Sequence, residues 1–350
     1  MELTRPNGVG ESKDALIVVT GAGGFIGGHL VKYFHEKGFK HIRAVDKKPF
    51  GEWYQRLPEV EHVCLDCSSE DSCRRVCEGA TEVYNLAADM GGMGFIERFR
   101  VECLRSVLIN THMIEAAYRA GAQRYFFSSS ACVYNTQLQQ DPNVRALREA
   151  DAYPAMAERG YGWEKLISEI LCQEYWAERG LKTFIARFHN VYGPEGTWDG
   201  GREKAPAAIC RKAAEAADTG VHTIEIWGDG HQSRSFMYID DCVKGVDMIM
   251  HCDQLVATPV NLGSSELVSI NKLVDMVEGM AGVKLDRKYD LTAPRGVGGR
   301  NSDNTFIQQI LHWEPNTTLI AGLRETYQWV QDQYQKRKKG RLVVACSSPR

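Results

Sequence analysis

Apolar residues along the first half of the chain follow two alternating rhythms. Short runs rich in β-branched and aromatic residues, at 15–20, 42–46, 62–66, 82–87, 124–130 and 181–188, read as buried strands. Between them, near 25–37, 70–78, 101–121 and 161–180, apolar residues recur every three to four positions, as Leu30, Val31 and Phe34 do, and predict helices. Strict alternation of strand and helix predicts an α/β fold, a Rossmann-type doubly wound parallel sheet with helices on both faces. The second half is less regular. Turn clusters at 193–202 and 228–231 interrupt helical stretches near 203–217, 240–251, 269–282 and 319–338. No internal repeat or low-complexity segment breaks the pattern.

The first strand runs straight into Gly21-Ala22-Gly23-Gly24-Phe25-Ile26-Gly27 and then into the first helix. In that context Gly21 permits a tight turn, Gly24 a close approach of backbone to a pyrophosphate, and Gly27 close packing of helix on strand. The phosphate would rest on the helix N-terminus. The second strand ends in Asp46, 19 residues after Gly27, where a carboxylate accepts from adenosine ribose hydroxyls. It repels a 2′-phosphate and so favours NAD over NADP, although Lys47 and Lys48 follow it. Asp66, closing the third strand, is placed to receive the adenine amino group.

A second constellation lies further on. Ser130 ends a strand, Cys132 follows it, and Tyr161 and Lys165 stand four residues apart on one helical face. The ammonium of Lys165 is expected to lower the Tyr161 phenol from its usual value near 10 and make it an acid or base near neutrality. Ser130 can bond the oxygen that Tyr161 serves. That trio suits hydride transfer at an alcohol carbon, whereas Cys132 adds a proton-transfer group that plain alcohol oxidation does not require.

Composition narrows the partners. The 350 residues carry a formal charge of −3, which supplies no general basic surface for nucleic acid. No apolar run approaches the ~18 residues that span a bilayer, and the first residues lack a charged-then-apolar leader. The expectation is a cytoplasmic protein with neither a membrane nor a nucleic-acid partner. Eleven cysteines, an odd number scattered through core-like segments, read as reduced thiols. Cys64 and Cys67, with Cys73 and Cys77, offer metal-like spacing, but only His62 accompanies them and no metal is expected.

With the glycine turn and the Tyr161/Lys165 pair in place, the chain resembles the extended short-chain dehydrogenase/reductase superfamily. Three segments, Ala87 to Phe95, Gly200 to Pro206 and Gly299 to Asn304, resemble the GDP-mannose 3,5-epimerase family within it. The likeness runs from about residue 15 to 335, with Asn135 and Trp163 departing from the family pattern. It implies NAD contacts at Gly21, Gly24, Phe25, Ile26, Gly27, Asp46, Asp66, Ala87, Tyr161 and Lys165. For catalysis it implies Tyr161, Lys165 and Ser130 in the redox step, with Cys132 and Lys204 as the acid/base pair. Substrate contacts are implied at Gly91, Ser130, Ala131, Cys132, Asn190, Glu203, Lys204, Ala205, Lys212, Gln232, Arg234 and Arg300. Arg202, beside Lys204, is expected to depress its ammonium by like charge.

These readings set the expected organisation. Residues 1–190 would form the NAD-binding domain, with 225–262 returning to it. Residues 191–335 would form mainly a smaller α/β substrate-binding domain, and 336–350 a solvated tail. The implied substrate is GDP-mannose or a related GDP-hexose, and the implied assembly a homodimer through the helices at 101–121 and 161–180. Other functions share this fold: a nucleotide-sugar 4-epimerase needs neither Cys132 nor Lys204, and a 4,6-dehydratase needs carboxylates after the Ser. A non-enzymatic NAD-binding sensor could lose Tyr161 or Lys165, and both are retained.

Overall fold

Residues 13–294 and 296–340 are described by a computed structural model of the chain. Its first strand, β1 (Leu16–Thr20), is buried on both sides, so that Ile17 and Val19 join one apolar layer and Val18 the other. That two-sided burial is what a parallel sheet between helices demands. Helix α1 (Phe25–Glu36) then buries Leu30, Val31 and Phe34 against it, and β2 (His41–Asp46) lies alongside in parallel. The alternation continues through β3 (Glu61–Cys64), α2 (Glu70–Cys77), β4 (Glu82–Asn85), α3 (Met93–Arg98), α4 (Arg100–Arg119), β5 (Arg124–Ser130), α5 (Tyr161–Arg179) and β6 (Lys182–Phe188). Each expected strand and helix of this half is present. The short α3 was not expected.

Beyond β6 the chain divides its elements between two bodies of structure. β7 (Asn190–Tyr192), α6 (Ala205–Thr219), β8 (Thr223–Trp227) and β9 (Ser233–Tyr238) lie outside the large sheet, and β9 pairs with β7. α7 (Ile239–Met250) then packs on α1 and β6, and β10 (Pro259–Leu262) joins β6. Of the stretch 225–262, therefore, residues 239–262 return to the large sheet while 225–238 stay with the smaller ones. β11 (Leu267–Ser269), α8 (Ile270–Ala281), β12 (Asp286–Asp290), β13 (Gly299–Arg300), α9 (Thr305–Leu311) and α10 (Leu319–Lys338) complete the described chain.

The large sheet has seven parallel strands in the order β10-β6-β5-β4-β1-β2-β3. Succession runs one way from β1 to β3 and the other way from β4 to β6, so the order reverses between β1 and β4. A crevice opens at such a reversal, outside the carboxyl ends of the strands. One sheet face is covered by α1 and α7 over Phe34, Tyr84, Phe126 and Phe184, the other by α2, α4 and α5 over Val83, Met113, Tyr125 and Phe127. The smaller sheets are β11-β9-β13 with β7, and β12-β8, packed with α6, α8 and α10 over Ile209, Leu273, Val277 and Leu323.

The expected tail at 336–350 begins too early. Lys336, Arg337 and Lys338 form the last turn of α10; Arg337 pairs with Asp199 and lies 4.6 Å from the Trp198 ring, and Lys338 pairs with Asp218 at 2.6 Å. These acidic and aromatic partners turn what reads as a charge run into a docked helix end. Residues 341–350 lie outside the described residues.

Candidate active site

The glycine turn occupies the mouth of the crevice. Gly21 has φ +73°, and a Cβ there would meet the Leu86 carbonyl at 2.9 Å, so a side chain is excluded by conformation and by space. A Cβ at Gly27 would run into the Gly21 carbonyl oxygen, which brings α1 against the end of β1. At Gly24, the N-cap of α1, a Cβ would touch only Gly21 O at 3.0 Å. Phe25 and Ile26 open the helix. Its free N-terminal amides, facing this crevice, fit the pyrophosphate of NAD.

Asp46 closes β2 beside the turn, accepting from Gly23 N at 3.1 Å and Lys48 N at 3.0 Å. Its two lysine neighbours are both engaged: Lys47 pairs with Asp89 at 2.8 Å, and Lys48 Nζ donates to Gly23 O at 3.2 Å. Neither is left to receive a 2′-phosphate, which strengthens the case for NAD. Asp66 is exposed just beyond β3, with Ser68 N donating to its carboxylate at 2.8 Å. Ala87 N donates to Thr20 Oγ1 at 3.4 Å, so β4 leads along the same crevice. Trp53 went unnoticed in the sequence. Its indole fills the space a Cβ at Gly23 would need and donates to Lys48 O at 3.0 Å.

Ser130, Ala131, Cys132, Tyr161 and Lys165 converge across the crevice from these residues. Ser130 ends β5, and its hydroxyl accepts from Cys132 N at 3.2 Å, which bends the chain into the turn Ala131–Val133. Tyr161 opens α5 and shares an apolar cluster with Cys132, Cys103, Phe95 and Ile96. Lys165 Nζ lies 5.5 Å from the Tyr161 ring centroid and 4.8 Å from that of Phe127. Arg300, on β13, reaches in from the smaller sheets and donates to Cys132 Sγ at 3.4 Å. Its other nitrogens bond Gln139 Oε1 at 2.7 Å and the Glu158 carboxylate.

Lys204 is the N-cap residue of α6, with Ala205 and Pro206 starting the helix behind it. Burial lowers its ammonium; Cys132 acts on it in the opposite sense and Arg300 in the same one. The expected agent, Arg202, is not the cause. Its guanidinium lies 3.9 Å from the Phe95 ring centroid, and its carbonyl accepts from Gly92 N at 3.0 Å, so it ties α3 to the loop that carries Lys204.

Burial also overturns the expected effect on Tyr161. The phenol is pushed up, first by desolvation and then by the charges of Cys132 and Glu164, with only the Ser130 hydrogen bond opposing. Lys165 does not offset this rise: it is itself buried, its ammonium depressed by desolvation and sustained by Glu164 at 3.9 Å. Cys132 is likewise raised, by burial and then Glu158, against the pull of Arg300.

The remaining residues carried over from the family resemblance have contacts of their own. Gly91 is buried against Phe95. Asn190 Nδ2 donates to Ser235 O at 3.2 Å, and Arg234 donates to Ser233 O and Val297 O at 2.8 Å each. Gln232 uses its amide nitrogen on Trp227 O at 2.6 Å and leaves Oε1 buried without a partner. It lines a 130 Å³ pocket with Asp229, Gly296 and Gly298. Glu203 accepts from Gly201 N at 2.7 Å, and Lys212 donates to Glu225 O at 2.7 Å further along α6. A larger cavity of 420 Å³, lined by Glu149, Gln173, Thr258 and Phe306, opens at the β10 edge and includes none of these residues. Glu158, Gln139 and α3 were missed, because only three-dimensional pairing brings them to the thiol.

The model of the NAD dependent epimerase/dehydratase family matches residues 17–263. The chain is 44% identical over 328 residues to a GDP-mannose 3,5-epimerase of Arabidopsis thaliana, covering 93% of this chain and 85% of that protein. It is 43% identical over 335 residues to GDP-mannose 3,5-epimerase 1 of Oryza sativa subsp. japonica, covering 95% and 86%. Among solved structures, a UDP-glucose 4-epimerase from Thermotoga maritima superposes with a TM-score of 0.80 at 22% identity, over 91% of this chain and 99% of that one. MoeE5 in complex with UDP-glucose and NAD gives 0.75 at 26% identity, over 91% and 100%.

Proposed function

Since the chain belongs to the NAD dependent epimerase/dehydratase family and falls among its GDP-mannose 3,5-epimerases, we propose that it inverts carbons 3 and 5 of GDP-mannose, towards GDP-L-galactose. The observation that carries this reading is the meeting of two extra proton-transfer groups, Cys132 and Lys204, with the Ser130, Tyr161 and Lys165 group at one crevice. NAD, when bound, would be held by the glycine turn and Asp46 and would supply a reversible hydride acceptor and a positive charge. With that positive charge and the Lys165 ammonium beside it, Tyr161 would act as phenolate, its Oη taking the proton from the carbon 4 hydroxyl while Ser130 holds the same oxygen. Once carbon 4 is a ketone, the protons on carbons 3 and 5 are acidic. Cys132 Sγ serves one ring face and Lys204 Nζ the other, because inversion removes a proton from one side and returns one on the opposite side. Arg300, Arg234 and Lys212 supply the positive charge that a nucleoside diphosphate requires. Phe95 and Ile96, in one apolar cluster with Cys132 and Tyr161, would keep water from the reacting carbons.

Incubation with GDP-mannose in heavy water tests this. Deuterium at carbons 3 and 5, without net consumption of NAD, is expected. Inversion at carbon 4 with no deuterium at carbons 3 and 5 would instead make the protein a 4-epimerase.

The assembly is a homodimer on the same reading. Val101, Leu104 and Leu108 on α4, and Trp163, Ile167 and Ile170 on α5, form two exposed apolar stripes on helices that pack together. A second copy related by a two-fold axis would cover both. No helix among the described residues is long and apolar enough to cross a membrane. Ten free cysteines among those residues favour a reducing, cytoplasmic setting.

A further inference from the structure

More charge surrounds the Cys132 thiol than carbon deprotonation requires. Four cations act on it from four elements: Arg300 on β13, Lys204 at the start of α6, Lys165 on α5 and Arg234 on β9. The neutral groups beside it are the Ser130 hydroxyl on β5 and the Tyr161 phenol on α5, with Cys103 on α4 behind the phenol. Glu164 stands further back, against Lys165 and Asn110. The carboxylate that opposes the cations at the sulfur itself is Glu158.

Glu158 holds the thiol in two ways. Its backbone N–H donates to Cys132 O at 3.0 Å, which ties down the turn after β5. Its carboxylate, 12% exposed, pairs with one Arg300 nitrogen while another points at Cys132 Sγ at 3.4 Å. Gln139 receives the third nitrogen at 2.7 Å, so the guanidinium is fixed on three sides. The same carboxylate also offsets Arg234.

We propose that Glu158 is a positioning residue that holds Arg300 in an ion pair beside the Cys132 sulfur and, by offsetting that cation, keeps Cys132 a protonated thiol in the resting enzyme. Without that anion, the buried Arg300 guanidinium would lie against the sulfur without the carboxylate it pairs with and draw out the thiol's proton. A resting thiolate could not donate a proton to carbon, and it would be open to alkylation and oxidation. The proposal deepens the epimerase reading and rests on it for the use made of the proton; the thiol itself can be measured apart from turnover.

The test is a titration of thiolate absorbance near 240 nm (a general thiolate band) on the full-length protein, with and without Glu158→Gln. Each is read against its own Cys132→Ala partner, which isolates this thiol from the other cysteines. Alkylation of the Cys132 peptide by iodoacetamide is followed by mass spectrometry. Glu158→Gln is expected to lower the thiol's titration by about one unit and speed alkylation at neutral pH about tenfold. Glu158→Asp, which keeps the charge, should stay near the parent. A folded Glu158→Gln whose thiol titrates like the parent's overturns the proposal. If Glu158→Gln does not fold, Gln139→Leu is the second variant: slackening Arg300 must slow alkylation, and an unchanged rate is equally fatal. A shifted thiol in a protein that incorporates no deuterium at carbons 3 and 5 would sink the epimerase reading and leave Glu158's role standing.

Discussion

An amine and a thiol that exchange protons with carbon work best when neither is locked in its charged form. Burial moves Lys204 down, towards the neutral amine that accepts a proton, and Cys132 up, as the protonated thiol that gives one. Cys132→Ala should retain hydride removal from carbon 4, seen as transient absorbance near 340 nm, while deuterium entry falls ~10²–10⁴-fold. Collapse of the absorbance with normal deuterium entry per oxidation would move Cys132 to the redox step. Lys204→Ala should lower kcat by a similar factor and leave the cofactor site intact. A raised KM with normal kcat would mean that Lys204 only neutralises the diphosphate. The residue types at this site could be read from sequence, but their proton affinities could not. Tyr161 and Lys165 share a helical face, and from spacing alone the ammonium should lower the phenol. Both are buried, and desolvation of each outweighs the attraction between them.

Secondary elements are joined below the sheet by a second charged cluster, away from the crevice. His251, just past α7, places Nδ1 3.1 Å from Asp247 on α7 and Nε2 3.1 Å from Glu82 on β4, while Lys37, beyond α1, pairs with Asp247 at 2.6 Å. Burial disfavours the imidazolium, but the two carboxylates outweigh it and raise His251 to about 9. Its folded pKa lies above its unfolded value of about 6.5, so the stabilisation is complete below that value. It is lost as pH rises through about 9. Thermal melts should therefore fall between about pH 7 and 10, and His251→Ala should remove that slope and cost about 1–3 kcal/mol at neutral pH. An unchanged slope in His251→Ala would assign the alkaline loss elsewhere. Elements of this length were legible from their periodicity: the strands from 15 to 188 and the helices from 25 to 180 fall where the apolar rhythm puts them. What escaped was short or depended on partners. α3 has six residues, β13 two and α9 seven, too few for a period to emerge. Nothing local to Arg300 in the sequence shows that it pairs with Glu158.

On the scale of the whole molecule, the two apolar stripes on α4 and α5 predict a dimer whose parting exposes them to water. Ile167→Glu with Ile170→Glu should yield a monomer by sedimentation, since two charges would be buried unpaired in the interface. A parent protein that sediments as a monomer at micromolar concentration would remove the dimer. The end of α10 has a different reach. Arg337 pairs with Asp199 and lies over Trp198, only a few residues before Lys204, so the last helical turn and the loop that leads to Lys204 share one anchor. A ligand that orders the loop through this anchor is expected to order the helix end as well, and the coupling would run equally in both directions. GDP-mannose should slow amide hydrogen exchange in residues 334–338 as well as in 199–204, and Arg337→Ala should uncouple the two. The carboxyl-terminal helix would then act as a reporter, carrying the occupancy of a buried site out to the protein's surface.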